Sequence, residues 1–199
     1  MFRATAVMAL LACAAVAVAQ GPSVISQKGQ DRFETEFSPG KLLQLEVRSG
    51  DVRIFGSESN KVTIHYEGRN SAEVDDVRVY FQRSAGGGEL RIAGGPRNEF
   101  QIRIEVPRTT DLHVRMPFGQ LEIEDIRGSK DVEVHAGQVT IGMGDPKEYA
   151  EIEASVTTGE VDAAPFAVNK GGLFRSFRQA GPGKYRLHAH IGSGQLILR

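Results

Sequence analysis

The sequence predicts an all-β protein built as an irregular single-stranded β-solenoid, a β-helix-like stack of short strands joined through glycine corners. Three observations carry that prediction. Apolar residues are mostly Val, Ile and Leu in short alternating runs, and period-two alternation of β-branched residues fits a half-buried pleated surface. Glycine is abundant, 23 of 199 residues, which supplies tight turns, and no window repeats apolar residues at the helical period. A strand, corner, strand step also recurs with glycine always in the same place.

The chain opens with residues 1–19: one basic residue, Arg3, an apolar run from Ala4, and the small-x-small ending Ala17-Val18-Ala19. That pattern predicts a cleaved signal peptide and an exported protein, periplasmic or at the cell surface. The run barely reaches bilayer-spanning length and has no stop-transfer flank. Leu10-Leu11-Ala12-Cys13 has the form of a lipobox, which would anchor the protein to a membrane through a lipidated Cys13; the apolar run continuing over residues 14–19 favours cleavage after Ala19. Cleavage there leaves a chain without cysteine, which excludes disulfides, thiolate catalysis and Cys-ligated metals. The remaining ~180 residues suit one hydrophobic core. Residues 20–41 are expected as a lead-in with a first strand, and residues 42–199 as the solenoid.

In the repeat, Leu43, Leu45 and Val47 alternate with Gln44 and Glu46; after Ser49-Gly50-Asp51 the alternation resumes at Val52 and Ile54. Val47 and Val52 are five apart. An odd spacing inside a period-two pattern means that a turn has reset the parity, so both arms can point apolar residues into one core. The step returns as Met116 to Leu121, Val134 to Val139, Val156 to Val161 and Ile191 to Leu196, with Gly50, Gly119, Gly137, Gly159 and Gly194 each three residues after the first member. A glycine fixed at one place implies a corner needing positive φ or close backbone approach. A degraded sixth copy is expected from Ala85 through Gly88 to Leu90. The glycines lie 69, 18, 22 and 35 residues apart, and the two short intervals suit a rung plus its return.

Within the long interval, candidate strands at Val62-Ile64-Tyr66, Val77-Val79-Phe81, Leu90-Ile92 and Phe100-Ile102-Ile104-Val106 read as divergent rungs of the same stack. The competing architecture is a β-sandwich, but its hairpins favour Asn-Gly or Asp-Gly, whereas Ser, Phe, Ala, Thr or Ser precedes these glycines. Pro165, Pro182 and Gly171-Gly172 confine residues 163–183 to loops and a capping element.

The segments Leu45-Glu-Val-Arg-Ser-Gly-Asp-Val-Arg-Ile54, Ser155-Val-Thr-Thr-Gly-Glu-Val161 and the stretch from Tyr185 through His-Ile-Gly-Ser-Gly-Gln to Leu198 resemble the bacterial DUF4097 family of adhesin-like, toastrack-like domains. The resemblance covers roughly residues 42–198. It implies a β-helix-like stack that is often exported or surface-associated, without an established general catalytic activity or catalytic residues to carry over.

Chemistry-bearing motifs are sparse. Gly86-Gly87-Gly88 and Gly181-Pro182-Gly183 neither open a helix nor end in Gly-Lys-Ser/Thr, so they are turns and not phosphate loops; Gly-x-Ser-x-Gly and His-Glu-x-x-His do not occur. His188 and His190 share one strand face and could hold a metal if His135 came alongside, but a solvated strand face is the simpler expectation. Glu122, Glu124, Glu133, Glu151 and Glu153 lie at outward positions. A pair among Glu122, Glu133 and Glu153 could serve a polysaccharide hydrolase or lyase, although no sugar-stacking aromatic accompanies them in sequence.

Charge is uneven: residues 120–162 hold eleven acidic and three basic residues, and residues 163–199 six basic and no acidic one. Phe174, Arg175, Phe177, Arg178, Lys184 and Arg186 therefore form a candidate patch for an anionic ligand. Alternatively Phe174 and Phe177 cap the open end of the stack, their rings buried and the arginines in solvent. The expectation is a non-enzymatic scaffold or binding module without cofactor or metal. Its partner would be an envelope protein, a glycan or an anionic lipid, and not nucleic acid. A structural protein that self-associates end to end through its oppositely charged regions is the alternative.

Overall fold

The computed structural model describes residues 24–28, 31–68, 74–96 and 99–199; residues 1–19, with Cys13, lie outside them. Thirteen strands among the described residues form one continuous sheet: β1 (Val24–Lys28), β2 (Arg32–Glu36), β3 (Leu42–Val47), β4 (Ser49–Ser57), β5 (Lys61–Glu67), β6 (Arg78–Ser84), β7 (Gly87–Ala93), β8 (Gln101–Pro107), β9 (Asp111–Glu124), β10 (Lys130–Ile141), β11 (Tyr149–Ala163), β12 (Val168–Ala180) and β13 (Tyr185–Leu198). The fold is an all-β stack, with two single 3₁₀ turns, Pro146–Glu148 and Ala164–Phe166, between its strands.

Each long strand bends at its glycine, and its two arms line one core. β9 pairs in parallel with β10, β10 with β13, and β13 with β11; β3 and β4 pair in parallel with the first and second arms of β9. Gly50, Gly119, Gly137, Gly194 and Gly159 thereby stand opposite one another in a single row. Gly137 shows why the row is glycine: its φ is +144°, and a Cβ there would lie 1.8 Å from the Gly119 carbonyl oxygen, so a side chain meets both strain and main chain.

Side chains stack in rows along the core. Before the corner runs Leu43, Leu112, Lys130, Leu187 and Ile152, and after it Val52, Leu121, Val139, Leu196 and Val161. All ten are at most 2% exposed. Burying each aliphatic member contributes roughly 1.5–3 kcal/mol, and a rung obtains this only from neighbours on both sides.

Lys130 is the exception in its row. Its Nζ donates to the carbonyls of Ile126 (2.9 Å) and Gly128 (3.2 Å) and to the Tyr149 hydroxyl (2.6 Å), so the ammonium uses three acceptors and fixes the turn between β9 and β10. Burial pushes its pKa down to about 8, with Asp111 and Glu148 opposing.

Spatial order departs from chain order twice. β13 lies between β10 and β11, and the β3–β4 pair lies between β7–β8 and β9. In the long interval, β7 and β8 make one divergent rung, divided by the loop that holds Gly94 and Phe100. Beyond it the pairing turns antiparallel, β6 on β7 and β1 on β6 in one arm, β5 on β8 and β2 on β5 in the other. Residues 24–28 and 32–36 are thus part of the sheet, and Phe33 and Phe37 are in its core.

Two local expectations are corrected. The segment from Ala85 through Gly88 to Leu90 is no corner: Ser84 pairs with Gly87 across a two-residue hairpin turn, and Gly88 is small because the Phe81 and Phe37 rings pack over it. Residues 163–183 are not mainly loop, since β12 occupies thirteen of them as the last strand, antiparallel to β11. Its alternation was hidden because its core-side positions, at the end of the stack, carry Lys170, Gly172, Arg175 and Gln179 beside Val168 and Phe177.

Candidate functional site

The outward face of the first arms is a polar lattice whose members bond one another. Asp131 lies centrally, 3.0 Å from His188 Nδ1, 3.3 Å from Arg115 and 3.9 Å from His113. Partial burial pushes its carboxyl up, but the hydrogen bonds from His188 and Arg115 outweigh this and hold it below its ordinary value. Arg115 also holds Glu133 at 3.0 Å. Ser155 Oγ is 2.9 Å from His190 Nδ1, the first contact of a nucleophile-base arrangement. Glu133, opposite His190 in register, would be its orienting group and is paired with Arg115 instead.

The other sequence candidates disperse. Glu153 is bound by Arg178 at 2.6 Å, and Glu122 lies on the second arm, held by Arg53 (3.6 Å) and Arg199 (2.6 Å), with Glu124 also on Arg199. The three glutamates considered for glycan cleavage are each neutralised by arginine, and Glu122 is on a different half of the sheet from Glu133 and Glu153. His135 stands at the corner beside Gly192, not with His188 and His190. Among the described residues no three His, Asp or Glu side chains are arranged to hold a metal ion.

The basic and aromatic patch divides in two. Phe177 is 7% exposed and stacks on Phe166, ring centroids 5.0 Å apart, as a cap on the core. Phe174 is 79% exposed, with φ +51°, so the expectation that both rings are buried is corrected: the β12 corner, where Phe174 takes a left-handed backbone conformation, leaves this ring in solvent. Arg175 and Lys170 lie at the same corner, while Lys184, over the Tyr185 ring at 4.8 Å, and Arg186, opposite Glu151, lie at the far end of the arm. Six strand residues separate the two groups, roughly 20 Å at ~3.3 Å each. Arg178 and Arg199 have their charge met by glutamates.

The surface feature that sequence reading passed over is the corner ridge. One row of the ladder runs Ser49, Phe118, Ala136, Ser193, Thr158 and Leu173; the first five each precede a corner glycine, and Leu173, opposite Thr158 on the antiparallel β12, follows Gly172. Phe118 and Leu173 are each 61% exposed, and with Phe174 they are the three most exposed large apolar side chains among the described residues. Four strand spacings separate Phe118 from Leu173, about 19 Å at ~4.8 Å each. Beside this row, on the other flank of the glycines, Gln120, Gln138 and Gln195 stand in register and lead to Glu160, whose carboxylate accepts from Gln195 at 3.4 Å. At the Phe118 end the ridge opens into a groove of about 650 Å³ whose walls include Ser49, Asp51, Gln101 and Gln120. The signal was present in the residue preceding each glycine: Ser, Ala, Thr and Ser are small, and Phe118 alone is large.

No family model matches the chain, and no curated protein matches it. Among solved structures it is similar to a candidate cell adhesion protein from Clostridium sporogenes, at TM-score 0.54 and 15% identity over 89% of this chain and 99% of that one. Candidate adhesins from Bacteroides fragilis (TM-score 0.35, 9% identity, 89% of this chain and 97% of that one) and Parabacteroides merdae (0.26, 11%, 88% and 80%) also align. The bent-strand stack described above is therefore a fold that this chain shares with the candidate cell adhesion protein of Clostridium sporogenes.

Proposed function

We propose that this chain is an exported, non-catalytic, adhesin-like binding module of the cell envelope, akin to the DUF4097 domains it resembles in sequence, and that it holds an extended glycan along the corner ridge. The observation that carries the reading is the placement of the three most exposed large apolar side chains, Phe118, Leu173 and Phe174, on that ridge. The fold's own packing does not account for them, since the ridge faces away from the core. Phe118 offers a face for a sugar ring. The glutamine amides, each both donor and acceptor, repeat at the spacing of the rungs and suit a polymer of hydroxyl groups better than a charged one. The pairing of Glu122, Glu133 and Glu153 with arginines speaks against glycan cleavage.

A glycan and anionic-lipid array with protein beginning at Gln20 tests this. Glycan binding lost in Phe118→Ala and weakened in Gln138→Ala, but kept when Arg175, Arg178 and Arg186 are replaced together by Glu, is the expected result. Binding confined to anionic lipids and lost in the triple charge reversal would move the site to the basic segment. Turnover of any arrayed glycan would overturn the non-catalytic reading.

A further inference from the structure

The last strand of the stack leaves an edge open. β12 pairs with β11 along its length, and no other strand among the described residues lies on its far side. Unpaired N–H and C=O groups along an extended strand are a template for another chain, and proteins usually shorten or cover such edges. The opposite end of this sheet does so with β1 and β2, five residues each. β12 keeps thirteen.

Instead of being shortened, β12 engages its carbonyls with its own cationic side chains. Lys170 Nζ donates to the Ser176 carbonyl at 3.1 Å, and Arg175 Nε to the Gly171 carbonyl at 2.9 Å. An ammonium reaches the Ser176 oxygen from the open side of the strand, because the other side is filled by β11. In an extended residue N–H and C=O point the same way across the strand, so the Ser176 N–H is on the open edge as well. Neither Lys170 nor Arg175 is ion-paired with a carboxylate of the described residues, in contrast to Arg178 and Arg199.

We propose that this edge is a β-augmentation site that takes an extended acidic segment of a partner protein as an added strand. On binding, N–H groups of the incoming strand take over the Ser176 and Gly171 carbonyls, and Lys170 and Arg175 turn to its carboxylates, so hydrogen bonds are exchanged and charge is met. The absence of any acidic residue in residues 163–199 sets the sign of the partner. A second copy of this chain fits poorly, because symmetric pairing of β12 with β12 would bring Lys170 and Arg175 against the same cations. The proposal uses the strand edge and is independent of glycan binding on the ridge.

The test is fluorescence anisotropy of the protein from Gln20 with a labelled peptide of two short alternating Val-Glu arms joined by a central Ser-Gly, so that it can follow the corner as the other rungs do. An alternating Val-Lys peptide and an acidic peptide of equal charge interrupted by Pro serve as controls. Saturable, salt-sensitive binding is expected for the Val-Glu peptide, at least about tenfold weaker for both controls, for Ser176→Pro and for Lys170→Ala with Arg175→Ala. Phe118→Ala should bind as the parent does, which separates this site from the ridge. Should Ser176→Pro fold poorly, hydrogen exchange on the parent decides instead: the Ser176 amide must gain protection when the peptide is added. Equal binding of the Pro-interrupted peptide, no protection at Ser176, or no saturable binding would each overturn the proposal.

Discussion

Replacing Gly137 by alanine puts the corner row to a quantitative test. The added Cβ would start 1.8 Å from the Gly119 carbonyl oxygen, whereas carbon-oxygen contacts settle near ~3.3 Å. β9 and β10 must therefore open by about 1.5 Å at the corner, enough to break roughly two ladder hydrogen bonds at about 1 kcal/mol net each. Holding alanine at a φ of +144° adds about 1–3 kcal/mol. The sum, about 3–5 kcal/mol, is a large part of the 5–15 kcal/mol that stabilises a typical domain. At about 2–4 °C per kcal/mol for this size, Tm should fall by roughly 6–20 °C. Gly86→Ala is the matched control, because nothing lies within 4 Å of its Cβ position and its φ is not in the left-handed region; it should melt within about 2 °C of the parent. Thermal and urea denaturation of both variants, followed by circular dichroism, measures the difference. If Gly137→Ala melts with Gly86→Ala, the glycine row is incidental and the argument from parity and corner geometry fails.

Phe177→Ala should lose about 3–4 kcal/mol by emptying the cap over the core, while Phe174→Ala should stay within about 0.5 kcal/mol; urea midpoints of the two separate the buried ring from the exposed one. Lys130, whose pKa is pushed down to about 8 by burial, binds its proton less readily folded than unfolded, so stability should rise with pH between about 8 and 10 by roughly 2 kcal/mol. Above pH 10 the trend should reverse, because burial raises the Tyr149 pKa and the folded hydroxyl keeps a proton that the unfolded one loses. Lys130→Met should flatten the rise and, by leaving the Ile126 and Gly128 carbonyls without their donor, cost about 1–3 kcal/mol at pH 7; parent and variant curves of equal slope from pH 8 to 10 would refute the assignment. Arg178→Ala should leave Tm unchanged, since its pair with Glu153 is solvent-exposed.

The corners were legible in the sequence because two local constraints coincide there: a five-residue spacing that resets parity and a backbone approach that excludes Cβ. Strand partners were less legible. Nothing within β13 says that it enters between β10 and β11, because all three carry the same corner and the choice rests on contacts distant in sequence. β12 was hidden for a different reason: at the end of the stack Lys170 and Arg175 take core-side positions that interior rungs fill with Val161 and Val156, which erases the alternation. The buried role of Lys130 is not legible in sequence because its three acceptors, two carbonyls and the Tyr149 hydroxyl, are brought to it only by the turn and by a strand nineteen residues on. The ridge was half visible, since Phe118 breaks the run of small residues before the glycines, but its exposure depends on the convex side of the bend.

The entry of β13 between β10 and β11 also constrains how the molecule assembles. In a stack whose rungs follow chain order, each new rung can settle on a finished one, and unfolding can proceed by peeling from an end. Here β11 and β12 can pair with each other as a hairpin but cannot join the stack until residues 185–198 fill the intervening slot. That strand closes the core rows on both of its sides at once, so the second half should form in one late, cooperative step and not rung by rung. Long-range pairing of this kind slows folding, and a chain still missing β13 has an open lane in its core, bounded by β10 and β11, that residues 185–198 fill, whether from the same molecule or, by exchange, from a second copy.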